Sequence, residues 1–397
     1  MKNSPAEYLE GKDFSLVLGG PFFQLLKRLH LTGTGLELVK LRIIVISLVA
    51  WLPLLLLSML NGQAWGDGLN LPFFEDIDVH IRFLLAVPIM IVAELLVHER
   101  ISIVVKEFQE RNLIPESEIS KFHNAIASAL RLRNSFIAEI SIVVLIYGIG
   151  YQLVWNQTAG LDSSAWYSEQ ALGKGNLSLA GIWFRYLSLP IFQFLFLRWY
   201  YRIFIWARFL YQVSKIKLRL VPTHPDDVGG LGFMANSIFA FMPLAFAHGT
   251  LMAGMISNHI FHDGATLLDF KVLIIVVVVI VICLFILPLF VFSSQLSEAK
   301  RRGSMEYGKF ASRFVQEFDE KWLKGKKPSD NSLMGNDIQS LADLAQSFNV
   351  VEKMQFVPIS KSNVIMLVAV TIIPVLPLVL TMMPISELVK LLSGLLM

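Results

Sequence analysis

Seven stretches of this chain, 43–61, 82–98, 136–155, 178–198, 234–257, 271–292 and 363–384, are apolar over nearly their whole length. A helix needs about 20 such residues to cross a bilayer core. Hydrocarbon offers no partner to an open strand edge, so runs of this kind span as helices. Within the sixth, VLIIVVVVIVICLFILPLFVF at 272–292 carries no charge at all; the second is the most interrupted, with Arg82, Glu94 and His98 toward its ends. The pattern predicts an all-α integral membrane protein with about seven transmembrane helices and amphipathic cytoplasmic helices between them.

Between the runs the pattern becomes periodic. GGPFFQLLKRLHLTG, at 19–33, mixes apolar and basic residues at near-helical spacing. It reads as a helix lying on the membrane surface. Residues 99–133 read as two helices broken at NLIPESE, with Glu116 and Ser117 opening the second after Pro115. SSQLSEAKRRGSMEYGKFASRFVQEFDEKWLKG is expected to carry the sixth helix out of the bilayer. KKPSDNSLMGN is a loop, and DIQSLADLAQSFNVVEKM predicts an amphipathic helix with Ile338, Leu341, Leu344, Ala345 and Phe348 on one face. With one apolar stripe apiece these helices make no sizeable core of their own. They are expected to pack on the membrane bundle or on a second subunit. The organisation is thus a cytoplasmic N-terminal segment with an interfacial helix (1–42), six transmembrane helices with short outer loops and the cytoplasmic loop 99–133 (43–292), a cytoplasmic helical region (293–362), and a Pro-broken seventh helix with a short outer tail (363–397).

Charge orients this arrangement. Only 16% of residues are charged, where a soluble chain carries roughly 25%. Of the 34 Lys and Arg residues, 29 fall in 1–42, 99–133, 198–221 and 296–362. All four segments lie on one side of a seven-span thread, and Lys and Arg collect in cytoplasmic loops. The N-terminus is therefore expected in the cytoplasm and the C-terminus outside, in a plasma membrane of the bacterial inner-membrane kind. FLRWYYRIFIWARFLYQVSKIKLRL interleaves six basic residues with aromatic rings. Rings of this kind settle at the headgroup level, and each nearby cation gains about 1 kcal/mol from an anionic leaflet. The expected partners are the lipid bilayer and the anionic headgroups of its inner leaflet. A net charge of +3 gives no reason to expect nucleic acid. The extended sixth helix is compatible with a homo-oligomer. The single Cys283 lies within a span and excludes an intrachain disulfide.

Six of the seven runs contain proline: Pro53, Pro88, Pro190, Pro243, Pro288, and Pro374 with Pro377. Each removes a backbone hydrogen bond and bends its helix. The third run carries Gly148 and Gly150 instead.

Ionisable residues inside hydrocarbon are costly and therefore informative. Glu94 precedes the cytoplasmic end of the second run by one turn, Glu139 lies one turn inside the third, and Arg198 and Arg202 end the fourth on one helix face. Each is placed separately, yet all four arrive at one depth. Two readings compete: a charged lining at the inner mouth of a pathway, or inter-helix ion pairs with arginines reaching toward phosphates. His248, in LAFAHGTLMAG, sits mid-span among small residues, where it either relays protons or bonds a neighbouring helix. His259, His262 and Asp263 have spacing that a divalent metal could use, but the cluster is short and reads as a surface loop, so no metal site is assigned.

VPTHPDDVGGLGF, at 221–233, turns the basic segment back into the fifth run. Its prolines stiffen the approach, its glycines free the backbone, and Asp226 or Asp227 suits a helix cap. No G-x-S-x-G, H-E-x-x-H or Walker A pattern occurs, so no catalytic residue and no cofactor is assigned. The expected function is a channel or transporter for a small ion or solute, with Glu94, Glu139, Arg198, Arg202 and His248 as its polar cluster. One alternative is a membrane-embedded enzyme acting at the cytoplasmic face through His224, Asp226, Asp227 and His98. Another is a scaffold or signalling subunit whose cytoplasmic helices at 296–356 bind a partner.

Overall fold

The computed structural model describes residues 14–33, 38–65, 69–150, 165–168, 177–322, 324 and 334–382. Among the described residues regular structure is helical, apart from two isolated bridges, Leu71 to Ala165 and Ser168 to Leu177. In chain order the helices are α1 (Pro21–Arg28), α2 (Val39–Leu60), α3 (Ile77–Glu110), α4 (Ile119–Arg133), α5 (Phe136–Leu145, continued by a π-turn over Ile146–Gly150), α6 (Leu179–Val213), α7 (Gly232–His262), α8 (Leu267–Trp322), α9 (Met334–Lys353) and α10 (Lys361–Met382). Six of them, α2, α3, α6, α7, α8 and α10, are long and apolar enough to cross a membrane. They coincide with the first, second, fourth, fifth, sixth and seventh apolar runs. The third run appears as α5, apolar but shorter, over Phe136–Gly148. Its remainder at 151–155, most of the loop expected at 326–336 and the tail beyond 382 lie outside the described residues.

Local chemistry explains where several helices begin. The Asp76 carboxylate accepts from Val79 N at 3.1 Å and opens α3. Ser135, Ser178 and Ser360 do the same for α5, α6 and α10, accepting from Ala138, Gly181 and Asn363. Each cap satisfies an amide that the helix itself leaves without an acceptor. Inside the helices the prolines are absorbed in three ways. Pro53 and Pro243 sit within α2 and α7. Pro288 and Pro374 lie in tightened 3-10 stretches, Leu287–Phe292 and Ile373–Val375. Pro88 and Pro190 each follow a π-turn, Arg82–Ala86 and Phe184–Ser188. A missing N–H breaks the regular ladder, and one widened turn lets the helix continue.

α7 is the hub of the bundle, packing chiefly on α3 and α10. Its approach to α10 is so close that a Cβ built on Gly249 would lie 1.9 Å from the Thr371 carbonyl oxygen. α2 packs on α3 and on the start of α6, and α4 packs along α6. Outward, α8 exposes Val272, Ile275, Val276, Val279 and Ile280 without polar relief.

The 56-residue α8 runs from the bundle to Trp322, and α9 folds back along it. The stripe expected on α9 is only partly used: Leu344 is buried, whereas Ile338 is 50% exposed and Ala345 is exposed. The burial has moved to the end of the helix, where Val351 and Met354 are fully covered. There the pair docks on the 221–233 turn. A Cβ on Gly303 of α8 would meet Pro222 at 2.6 Å and Val351 at 3.1 Å, so glycine is what permits the contact.

Candidate functional site

The four charged residues expected at one depth meet in the structure. Arg202 Nη1 donates to Glu94 Oε1 at 2.8 Å, and Arg198 Nη1 reaches the same oxygen at 3.3 Å. Arg198 Nε donates to Glu139 Oε1 at 3.3 Å. α6 supplies both arginines from one face, α3 supplies Glu94 and α5 supplies Glu139. A fifth member, Arg42 from the first turn of α2, brings Nη2 to 2.8 Å from Glu94 Oε2. That contact lacks hydrogen-bond alignment, and Arg42 Nε and Nη1 have no hydrogen-bond partner among the described residues. All five side chains are buried; Arg42 is 2% exposed. The cluster therefore holds three guanidinium groups against two carboxylates. Buried charge is tolerated only when paired and hydrogen-bonded, which leaves Arg42 as the least compensated group.

The remaining faces of the cluster are sealed by aromatic rings and by the N-terminal segment. Arg198 lies 4.8 Å from the Phe22 ring centroid and Arg202 4.7 Å from that of Trp199, close enough for a cation–π attraction. Phe22 N donates to Glu139 Oε2 at 2.7 Å. The carboxylate thus answers a first-turn amide of α1, where the helix dipole also favours negative charge. Gly20, at φ 91°, precedes α1, and a Cβ there would lie 2.9 Å from the Arg133 carbonyl oxygen and 3.2 Å from Glu139 Oε1. Only glycine admits the chain at that angle and distance.

His248, expected with these residues, stands apart from them. Its Nδ1 contacts the Leu244 carbonyl at 2.6 Å, and its Nε2 contacts the Tyr200 hydroxyl at 2.7 Å. A carbonyl only accepts, so the neutral ring carries its proton on Nδ1 and Nε2 accepts from Tyr200. Tyr200 lies two positions from Arg198, about 200° round the helix, so α6 separates the histidine from the arginines. His248 instead lines a cavity of about 330 Å³ with Asp78 and Arg82, which pair with each other. The mid-span position was legible; the face was not.

The 221–233 turn is organised by Asp226. Its Oδ1 accepts from Val228 N and Gly230 N, both at 3.0 Å, and its Oδ2 from Gly232 N at 2.8 Å. Gly232 begins the first turn of α7, so Asp226 is the cap that the sequence offers. His224 Nδ1 lies 2.8 Å from Oδ1. Burial pushes the Asp226 carboxyl upward, but the three amides and His224 outweigh it and hold it below the usual carboxylate range. Asp227 takes φ 57° and offers its carbonyl to Gln355 N at 2.7 Å, tying the turn to the segment after α9. Among the described residues, no hydrogen bond or ion pair joins His224, Asp226 or Asp227 to the arginine cluster.

The structure also places the sequence-flagged His259, His262 and Asp263 near a buried carboxylate, Asp76, that the sequence does not announce. Asp76, 4% exposed, accepts from Trp166 Nε1 at 2.9 Å and Asn258 Nδ2 at 2.8 Å while capping α3. At the end of α7, His259 bonds Asp263 at 2.5 Å, and His262 contacts the Glu75 carbonyl at 3.1 Å. No known family model matches the chain, and neither the curated proteins nor the solved structures include a significant match to it.

Proposed function

We propose that the chain is a seven-span membrane protein, N-terminus inside and C-terminus outside, that passes a small anion or anionic solute. In this reading α5 is the third span, the α8–α9 pair is cytoplasmic, and the arginine–glutamate cluster is the closed inner gate. The observation that carries the reading is the surplus guanidinium: three buried arginines face two carboxylates. Fixed positive charge inside a pathway favours anions. The two glutamates then act as the internal counter-ions that an entering anion displaces. The cavity bearing Asp78, Arg82 and His248 is the vestibule on the outer half, and α6 separates the two.

The test is flux. The purified protein in liposomes should pass one or more of chloride, nitrate, phosphate and short carboxylates. Glu94→Gln should raise the basal leak by unlatching Arg42 and Arg202. Silence over that panel, with folded and correctly inserted protein, would overturn the reading. The enzyme alternative loses its support at the 221–233 turn, because Asp226 spends its oxygens on backbone amides. The scaffold alternative keeps one observation: Met305, Phe310 and Val315 of α8 and Ile338 of α9 are exposed.

A further inference from the structure

Under α1 lies an apolar cavity of about 380 Å³. Its roof is the apolar face of α1, with Phe22, Leu25 and Leu29. Its walls are Val45 to Val49 of α2, Val143 to Tyr147 on α5 and its π-turn, and Leu187 to Leu195 of α6. Among the described residues, no charged one lines it. It opens sideways, since Leu25, Leu29, Val49, Val143 and Tyr147 are each between 41% and 58% exposed.

Three observations select the occupant. First, the wall on α6 runs from Leu187 to Leu195, eight rises of 1.5 Å, or about 12 Å along the helix axis. That is close to the depth of one leaflet in a hydrocarbon core about 30 Å thick. Second, the polar face of the same roof helix carries Lys27 and Arg28 in its last turn, both exposed. Third, the polar end of the walls is cationic. Arg42 lies one turn before Val45 and Ile46 on α2, and Arg198 one turn after Phe194 and Leu195 on α6. An apolar slot one leaflet deep, under a basic roof and beside a cluster with surplus positive charge, matches a molecule with one long acyl chain to bury and a negative headgroup.

We infer that this cavity binds an acyl chain of an anionic phospholipid from the cytoplasmic leaflet, with its phosphate held by Lys27 and Arg28. The lipid then acts on the gate through Phe22, which both lines the cavity and donates its amide to Glu139. An occupied cavity holds α1 against the bundle and Glu139 in place beside Arg198. The assignment rests on the membrane-spanning reading and not on the identity of any transported solute.

The test uses the full chain in phosphatidylcholine nanodiscs. Trace phosphatidylglycerol or trace phosphatidylcholine carries a photoreactive acyl chain, and labelled peptides are mapped by mass spectrometry. Label from phosphatidylglycerol should concentrate on α1 and on residues 187–195, above the level on the outward face of α8. It should exceed label from phosphatidylcholine by about fivefold for each cation, from about 1 kcal/mol apiece at 1.4 kcal/mol per tenfold. Ile191→Trp should fill the slot and abolish label there while α8 stays labelled. The surface pair Lys27→Gln with Arg28→Gln, which leaves packing untouched, should bring phosphatidylglycerol down to the phosphatidylcholine level. Cavity label no denser than on α8, or no headgroup preference, would overturn the proposal. Absence of label on α8 as well would instead overturn the membrane-spanning reading.

Discussion

Replacing Glu94 by Gln tests whether the arginine cluster is dry. One carboxylate receives Arg42 and Arg202 at 2.8 Å and Arg198 at 3.3 Å, with side chains 2–7% exposed. The amide keeps the shape and an acceptor but removes the charge, leaving three guanidinium groups and Glu139. Removing one partner of a buried ion pair costs about 3–5 kcal/mol, because the charge left behind is neither paired nor solvated. Arg42→Met should behave in the opposite way. It deletes the surplus cation, whose Nε and Nη1 have no partner among the described residues, and fills the space with apolar atoms. It should cost less than about 1.5 kcal/mol, or stabilise. The double variant should recover at least half of the Glu94→Gln loss, since residues sharing a network couple by about 0.5–3 kcal/mol. The assay is the unfolding free energy in mild detergent micelles titrated with a denaturing detergent. If Glu94→Gln unfolds within about 1 kcal/mol of the parent, water reaches the guanidinium groups and the argument from burial fails.

Other positions give equally direct tests. Gly249→Ala should cost about 3 kcal/mol or more in the same assay, because overpacking against a backbone carbonyl forces α7 and α10 apart; an unchanged stability would refute their close approach. Asp226→Ala should lose about 1–2 kcal/mol, at the upper end for a cap, since three amides lose their acceptor. The Asp226 carboxyl titrates below its unfolded value of about 3.9. Its stabilisation is therefore fully present above that pH and is lost as pH falls through the folded pKa. The difference in stability between parent and Asp226→Asn should shrink over that interval, and a gap that widens on acidification would refute the hydrogen-bond account. Tyr200→Phe should cost about 1 kcal/mol by leaving His248 Nε2 without a donor; a neutral result would mean that water replaces the hydroxyl.

The parts of the site legible in the sequence are those where a charge interrupts an apolar run. Glu94, Glu139, Arg198 and Arg202 each stand out for that reason, and a common depth follows from counting residues to the nearest span end. Arg42 is not legible in the same way. It directly precedes the first apolar run and so counts among the flanking cations, whereas the helix begins at Val39 and carries Arg42 a turn inward. His248 is conspicuous as a mid-span histidine, but a single helix does not reveal which neighbour it faces. The prolines announce irregularity without its form, because a π-turn at Phe184–Ser188 depends on packing around the whole helix. Asp226 is readable as a cap because the amides that donate to it lie within six residues. Asp227 is not, since Gln355 lies 128 residues away, and no local pattern encodes such a contact.

The cluster also has an order of construction. Its five members, Arg42, Glu94, Glu139, Arg198 and Arg202, lie within residues 42–202 and are complete once α6 has emerged from the ribosome. A helix bearing an isolated arginine or glutamate enters hydrocarbon at a cost of about 2.5–3.5 kcal/mol when the residue sits centrally, and synthesis delivers residues at about 5–20 per second. Arg42 thus waits only seconds for Glu94, and Glu139 only seconds for Arg198. α2, α3, α5 and α6 pair their charges with one another before the hub α7 exists to hold them. Biogenesis of this protein then divides at residue 202: an ion-paired half that assembles early, and an apolar half whose helices have no charge to shelter and close around it.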